Sequence, residues 1–375
     1  MSRGRVIVAM SGGVDSSMAS LLLAEQGYEV IGVTLRLWTL DRPEAAPHHR
    51  GCCSVEDIDD ARRVCQVLGV PHYVVNAEEA FKERVVDYFV REYARGRTPH
   101  PCVACNDLIK FDFLMRRALA LDAEAIATGH YARLVSDEDG PVRLLKAVDP
   151  SKDQSYVLFG LGQEQLKRLL LPVGWYAKAD LRERARAAGL PVADKPDSQD
   201  ICFVPEGDYR EFLAERADPA PGEIVDLDGR VLGRHQGVGR YTVGQRRGLG
   251  VATPGPTYVV ELDPEAAQVT VGPKEALFAS TMRVGATTWV AGAPPAGPVE
   301  ATVKVRYKAS AADATVTPQG TGALVRFHSP QRALTPGQAA VFYQGDEVLG
   351  GGYIERAIRD ETTQPPMERA GTAQA

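Results

Sequence analysis

Val6-Ile7-Val8-Ala9-Met10-Ser11-Gly12-Gly13-Val14-Asp15-Ser16-Ser17 is the stretch that decides the fold. A β-branched run ends in two glycines and a serine, and the helical pattern SSMASLLLAEQG begins at once. Outward from it, short apolar runs alternate with amphipathic stretches: YEVIGVTLRLW, VEDIDDARRVCQVLG, PHYVVN, a long helical stretch from Glu78 to Arg95, then EAIATGH. Strands separated by helices predict an α/β fold with a doubly wound parallel sheet, whose ligands gather at the carboxyl ends of the strands.

Near residue 205 the texture changes to Gly, Pro and charged turns between short strand candidates (EIVDL, RVLGR, TYVVELD), which predicts a small, mostly β central domain. Beyond about residue 275, TTWVA, VEATVKVRYK, DATVTPQG, GALVRFHS, QAAVFYQG and EVLGGGYIE recur at the spacing of a β-barrel or sandwich. The expected division is 1–205, 206–275, 276–357 and a disordered tail over 358–375, which lacks any apolar period. No apolar run approaches membrane-spanning length and the N-terminus enters a strand rather than a signal sequence, so a cytoplasmic protein with no membrane partner is expected.

A net charge of -6 over 375 residues excludes a globally basic nucleic-acid binder, so any RNA contact must be local. One local patch exists: between Ala301 and Gly345, Lys304, Arg306, Lys308, Arg326 and Arg332 face the single acid Asp313, an excess of +4. Such a patch suits phosphate contacts. Gln245-Arg246-Arg247-Gly248 is a second basic turn, equally compatible with an exposed hairpin tip.

The loop Ser11–Ser17 offers backbone N–H groups and hydroxyls at a helix start, which is what an anion needs. No lysine follows, so it is not the Gly-Lys-Ser/Thr nucleotide loop. A plain Ser-capped turn would look similar. SGGVDS resembles the pyrophosphate loop of the N-type ATP pyrophosphatases (adenine nucleotide α-hydrolase-like), which implies adenylation by ATP. On that reading Ala9, Met10, Ser11, Gly12, Gly13, Val14, Asp15 and Ser16 hold the nucleotide. Asp15 then holds magnesium or the loop itself, since phosphate and carboxylate oxygens suit that ion.

Six cysteines without a secretory signal argue for reactive or metal-binding thiols rather than disulfide scaffolding. Cys65 falls in a helical apolar pattern and reads as a small buried hydrophobe. Cys52 and Cys53, after His48 and His49, suit a surface loop better than one tetrahedral metal site. Cys102 and Cys105, in Thr98-Pro99-His100-Pro101-Cys102-Val103-Ala104-Cys105-Asn106, are expected on a loop because of the prolines, and read as a redox pair, a metal site or a nucleophile with a partner. Cys202 follows Asp197-Ser198-Gln199-Asp200 beside a short apolar strand.

SGGVDSS, TPHPCVACN, ATGHY, SKDQSYVL, SQDICF, YTVGQRRGLG and TPGQAAVFY, in that order from about residue 5 to 355, resemble the bacterial tRNA-uridine 2-sulfurtransferases (tRNA 2-thiouridylases). The resemblance implies a three-domain enzyme that adenylates the wobble uridine of tRNA at O2 and replaces that oxygen with sulfur from a cysteine desulfurase or sulfur-relay protein. It implies Cys105 as nucleophile and Cys202 as persulfide carrier, with a Cys105–Cys202 disulfide formed after transfer. It places Leu35 and Gly129 at the nucleotide, and His100, Pro101, Cys102, His130, Lys152, Asp153, Gln154, Arg306, Tyr307 and Gln338 at the tRNA.

Taken alone, His130 fits a backbone-satisfied structural histidine, and Lys152–Gln154 a solvated turn. The chain departs from one common form of the family at Cys102, where an aspartate stands. Cys102, Cys105 and Cys202 make a three-thiolate set able to hold a 4Fe-4S cluster with one open iron, so cluster and persulfide routes both stay open. Two rival readings are a small-molecule adenylating synthetase, which has no use for the cysteines or the basic barrel, and a non-catalytic RNA-binding or iron–sulfur protein.

Overall fold

The computed structural model describes residues 3–38, 55–137, 140–197, 201–204, 209–216 and 220–359. The region of Cys52 and Cys53, Ser198–Asp200 and the tail from residue 360 lie outside the described residues.

The first sheet takes β1 (Arg5–Ala9), β2 (Glu29–Arg36), β3 (His72–Asn76) and β4 (Ala125–Ala127); a hairpin of β5 (Ala132–Val135) and β6 (Arg143–Lys146) then precedes its last strand, β7 (Leu169–Leu170). The order is β3-β2-β1-β4-β7, with every pairing parallel. Val6, Ile7 and Val8 of β1 are fully buried, as a central strand covered on both faces requires. Chain progression reverses between β1 and β4, which opens a crevice at their carboxyl ends. Helix α1 (Val14–Glu25) starts there, directly behind the glycine loop.

A second sheet, in the order β10-β11-β8-β9, takes β8 (Gly222–Val225), β9 (Val231–His235), β10 (Tyr258–Asp263) and β11 (Gln268–Gly272). The third takes β12 (Phe278–Trp289), β13 (Val299–Lys304), β14 (Ala312–Gln319), β15 (Gly322–Arg332), β16 (Ala339–Gln344) and β17 (Glu347–Ile358). Pairing runs β12-β15-β14-β13-β16-β17, and β17 returns to β12, so six strands close into a barrel around Val303, Val316, Val325, Phe342 and Ile354. The hairpin β5–β6 joins this sheet rather than the first, through Leu145 opposite Glu347 of β17.

Two local expectations are corrected. Residues Pro101–Cys105 form a short α-helix, followed by π-type turns over Asn106–Phe113, and not a loop. Pro101 stands at the first helical position, where its missing N–H costs nothing and its fixed φ already suits the helix. The apolar residues at Ile201–Val204 form a turn, closed by Val204 N–H donating to the Ile201 carbonyl at 3.1 Å, and not a strand.

Candidate functional site

The glycine loop is held open by its own hydroxyls. Ser16 Oγ donates to the Gly13 carbonyl (3.1 Å) and accepts from Ser11 N–H (3.2 Å), while Ser17 Oγ also donates to Gly13 (2.8 Å). Gly12 has φ +70°, and a Cβ on it would run into the Asp57 carbonyl of α2 (Val55–Leu68), so only glycine fits. Gly129, just past β4, faces the loop across the crevice; a Cβ there would lie 2.5 Å from the Asp15 carbonyl carbon and the Ser16 nitrogen. Ala9 ends β1, Met10 is buried beneath it, and Leu35 is buried near the carboxyl end of β2.

Asp15 is held by Tyr131 Oη at 2.7 Å and Lys178 Nζ at 2.6 Å, so in this structure its carboxylate ties the loop to its surroundings. Lys178 is buried, and it also reaches Asp197 at 3.1 Å. Asp197 accepts from Lys152 (2.9 Å) and Arg182 (3.1 Å) as well. Burial raises its carboxyl, yet the hydrogen bonds and charges of Lys152 and Lys178 outweigh that and bring it to about 2. On the other side of the loop, Lys195 Nζ donates to the Gly12 carbonyl (3.0 Å), Asp57 (2.7 Å) and Asp60 (2.6 Å). Sequence reasoning missed Lys178 and Lys195; each lies more than 160 residues from its loop partner, and no local pattern marks them.

The expected nucleophile Cys105 is buried at the end of the helix begun by Pro101, in the apolar cluster that also contains Phe203 and Val204. Cys202 packs against the same cluster, and Cys102 is exposed. All three are thiols here. Among the described residues no group of three or more His, Cys, Asp or Glu side chains is arranged to hold a metal ion. Cys65 is buried as expected, its thiol pushed up to about 11 by burial.

The barrel seats the cysteine-bearing segment. Thr98 N–H donates to the Pro336 carbonyl (2.8 Å) and Gln338 Nε2 to the Thr98 carbonyl (2.8 Å). Arg306 is turned to the Ala333 carbonyl (2.7 Å), bracing the same β15–β16 connection. The rings of His100, Tyr156 and Tyr307 meet with centroids 5.8 to 6.3 Å apart. Asp153 bonds to Ala147 N–H and Ser155, and Gln154 to the backbone of Tyr131. His130 is buried on Thr128, at 2.8 Å, with its pKa well below the usual value through burial, so it is a neutral ring within the core.

Four of the seven buried side-chain polar atoms lacking a hydrogen-bond partner among the described residues lie on this one segment: Thr98 Oγ1, His100 Nδ1, Asn106 Oδ1 and Asp107 Oδ1. Burial pushes the Asp107 carboxyl up to about 7. Unsatisfied buried groups are rare and concentrate where function demands them.

Family descriptions match over 4–206 (tRNA methyl transferase HUP domain), 210–273 (tRNA methyl transferase PRC-barrel domain) and 279–354 (aminomethyltransferase β-barrel domain). A tRNA-specific 2-thiouridylase MnmA from Heliobacterium modesticaldum is 51% identical over 359 residues, covering 94% of this chain and 93% of that protein. The MnmA of Chloroflexus aurantiacus is 52% identical over 354 residues, covering 94% and 98%. The chain belongs to the tRNA-specific 2-thiouridylase family. Its members are sulfurtransferases, and this chain is an enzyme of that class. A solved 4-thiouridine synthetase–RNA complex with bound ATP aligns over 56% of this chain and 50% of that one, at 17% identity and a TM-score of 0.34, too slight a likeness to argue from. Among the described residues of this 2-thiouridylase family member, no helix is long and apolar enough to cross a membrane.

Proposed function

We propose that the protein catalyses ATP-dependent 2-thiolation of the wobble uridine of tRNA. The observation that carries this reading is the glycine loop at the β1–β4 crevice, built on Gly12 and closed by Gly129, with the cysteine-bearing segment seated by the barrel in the same molecule. Backbone N–H groups fixed at a helix start stabilise a pyrophosphate leaving group without reorganisation. Uridine O2 attacks the α-phosphorus of ATP; the α–β bridge breaks, and pyrophosphate departs with its electron pair. Magnesium arrives with the triphosphate as part of the substrate.

Sulfur then displaces AMP. A cysteine desulfurase or sulfur-relay protein loads Cys202 as a persulfide, whose terminal sulfur attacks C2 as the C2–O bond breaks and AMP leaves. The Cys105 thiolate attacks the Cys202 sulfur, which frees 2-thiouridine and leaves a Cys105–Cys202 disulfide for a dithiol reductant to reopen. The shared apolar cluster, which contains Cys105 and packs against Cys202, supports this pairing. The unsatisfied polar atoms around His100 and Asp107 support a polar substrate entering beside Cys105. Methyl transfer, which two of the matching family descriptions mention, needs neither a polyphosphate loop nor paired thiols.

The test is tRNA labelled with ¹⁸O at O2 of the wobble uridine, given ATP and a persulfide donor. The expected result is pyrophosphate release that requires tRNA, with the label recovered in AMP. Formation of ADP, or AMP without label, overturns the adenylation route.

A further inference from the structure

A cavity of about 510 Å³ lies where the β5–β6 hairpin meets the barrel, lined by Arg133, Lys146, Asp153, Lys304, Ser310 and Tyr343 among others. Its volume is in the range of sites that take a small polar ligand. The charges lining it are unevenly matched. Arg133 is neutralised by Asp346 at 2.8 Å, and the Asp153 carboxylate is taken up by Ala147 N–H and by Ser155. Among the described residues, neither lysine has a carboxylate within ion-pair distance. Lys146 Nζ donates to the Gly345 carbonyl (2.9 Å) and stands 4.6 Å over the Tyr343 ring. Lys304 Nζ stands 5.8 Å over Tyr156 and 5.6 Å over Tyr307.

Burial lowers the Lys304 pKa; Asp153 works against the shift and Lys146 adds to it, which places the two ammonium groups close enough to repel. Three cations, Arg133, Lys146 and Lys304, line the cavity against the two acids Asp153 and Asp346, and the excess positive charge favours entry of an anion. The rings beneath Lys304 belong to the aromatic group that includes His100, two residues before Cys102.

We propose that Lys146 and Lys304 form a pocket for a backbone phosphate of the tRNA, beside the nucleotide delivered to the cysteine segment. The proposal rests on the tRNA-thiolation reading and deepens it: Asp153 in the lining and Tyr307 beneath Lys304 are among the contacts expected from family resemblance, and Lys146 and Lys304 are added to them, whereas Arg306 and Gln338 are turned to backbone carbonyls and Lys152 to Asp197. A phosphate there completes both ammonium groups, while the tyrosine rings fix their height.

The experiment measures binding of full-length protein to unmodified tRNA across a potassium chloride series, for wild type, Lys146→Gln, Lys304→Gln and the double variant, with exposed Lys167→Gln as control. Each pocket variant should lower the slope of log affinity against log salt by about 1, raise KM for tRNA more than it lowers kcat, and be rescued by the corresponding arginine. Lys167→Gln should leave the slope at the wild-type value. A wild type that binds tRNA with a steep salt dependence, while the double variant matches it in slope and affinity, overturns the pocket and leaves the functional reading standing. A wild type that binds no tRNA overturns both. Lys146→Gln, at the half-buried end of β6 outside the closed barrel, keeps the test readable if substitution of Lys304 unfolds the barrel.

Discussion

The phosphate crevice and the barrel junction are both lined with lysines, and the two regions treat them in opposite ways. At the crevice Lys178 is locked between Asp15 and Asp197, and Lys195 between Asp57 and Asp60. At the junction Lys146 and Lys304 rest on tyrosine rings, with no ion pair to a carboxylate among the described residues. A cation already matched by acids holds its own chain in place; one left unmatched at a cavity is ready for an anion from outside. Neither formal charge nor sequence context separates the two kinds, because only the fold decides which carboxylates come near.

The sharpest way to break this division is to remove the chemistry and leave the clamps. Cys105→Ser should lower thiolation at least about 10³-fold, while tRNA-dependent pyrophosphate release, read in the same tubes, continues. Loss of both together would mean that the cysteine segment and the loop work as one unit.

The next largest effect is expected on stability. Lys178→Met leaves Asp15 and Asp197 without their shared buried cation and should cost about 3 kcal/mol, measured as a shift of the denaturant midpoint. The same clamp predicts a pH dependence. Asp197 is held at about 2, below its unfolded value, so its contribution is present above pH ~4 and fades as pH falls through about 2. Asp197→Asn should flatten that acid limb; an acid limb identical to wild type would show that the clamp contributes nothing.

The smallest effect concerns Cys102. It is exposed, whereas Cys105 is buried, so on the persulfide reading Cys102→Ala should lose at most about threefold in thiolation, and anaerobically purified protein should contain no stoichiometric iron. Iron that disappears together with activity in this variant would restore the cluster route.

The strand–glycine–helix order, the parallel sheet and the barrel were legible because each is written in local period and turn chemistry: Val6–Ala9, Gly12–Gly13, and the short strands after residue 275. The helix at Pro101 was not, since proline reads as a breaker until its position at a helix start is known. The β5–β6 hairpin was missed as well, because its partner is β17, about two hundred residues on. Lys178, Lys195 and Lys146 stayed unread for the same reason, and Lys304 was read only as one member of a basic patch: an ion pair or a cavity made from distant segments leaves no trace in local pattern.

The hairpin shared with the barrel has one more consequence. Since β6 continues directly into the sheet that contains β17, the span between the barrel and the β1–β4 crevice is set by hydrogen-bonded backbone rather than by a linker. That span acts as a ruler. On the proposed reading, an RNA gripped at the barrel presents whichever nucleotide lies at that length along its chain, which would select a position by measuring rather than by reading bases.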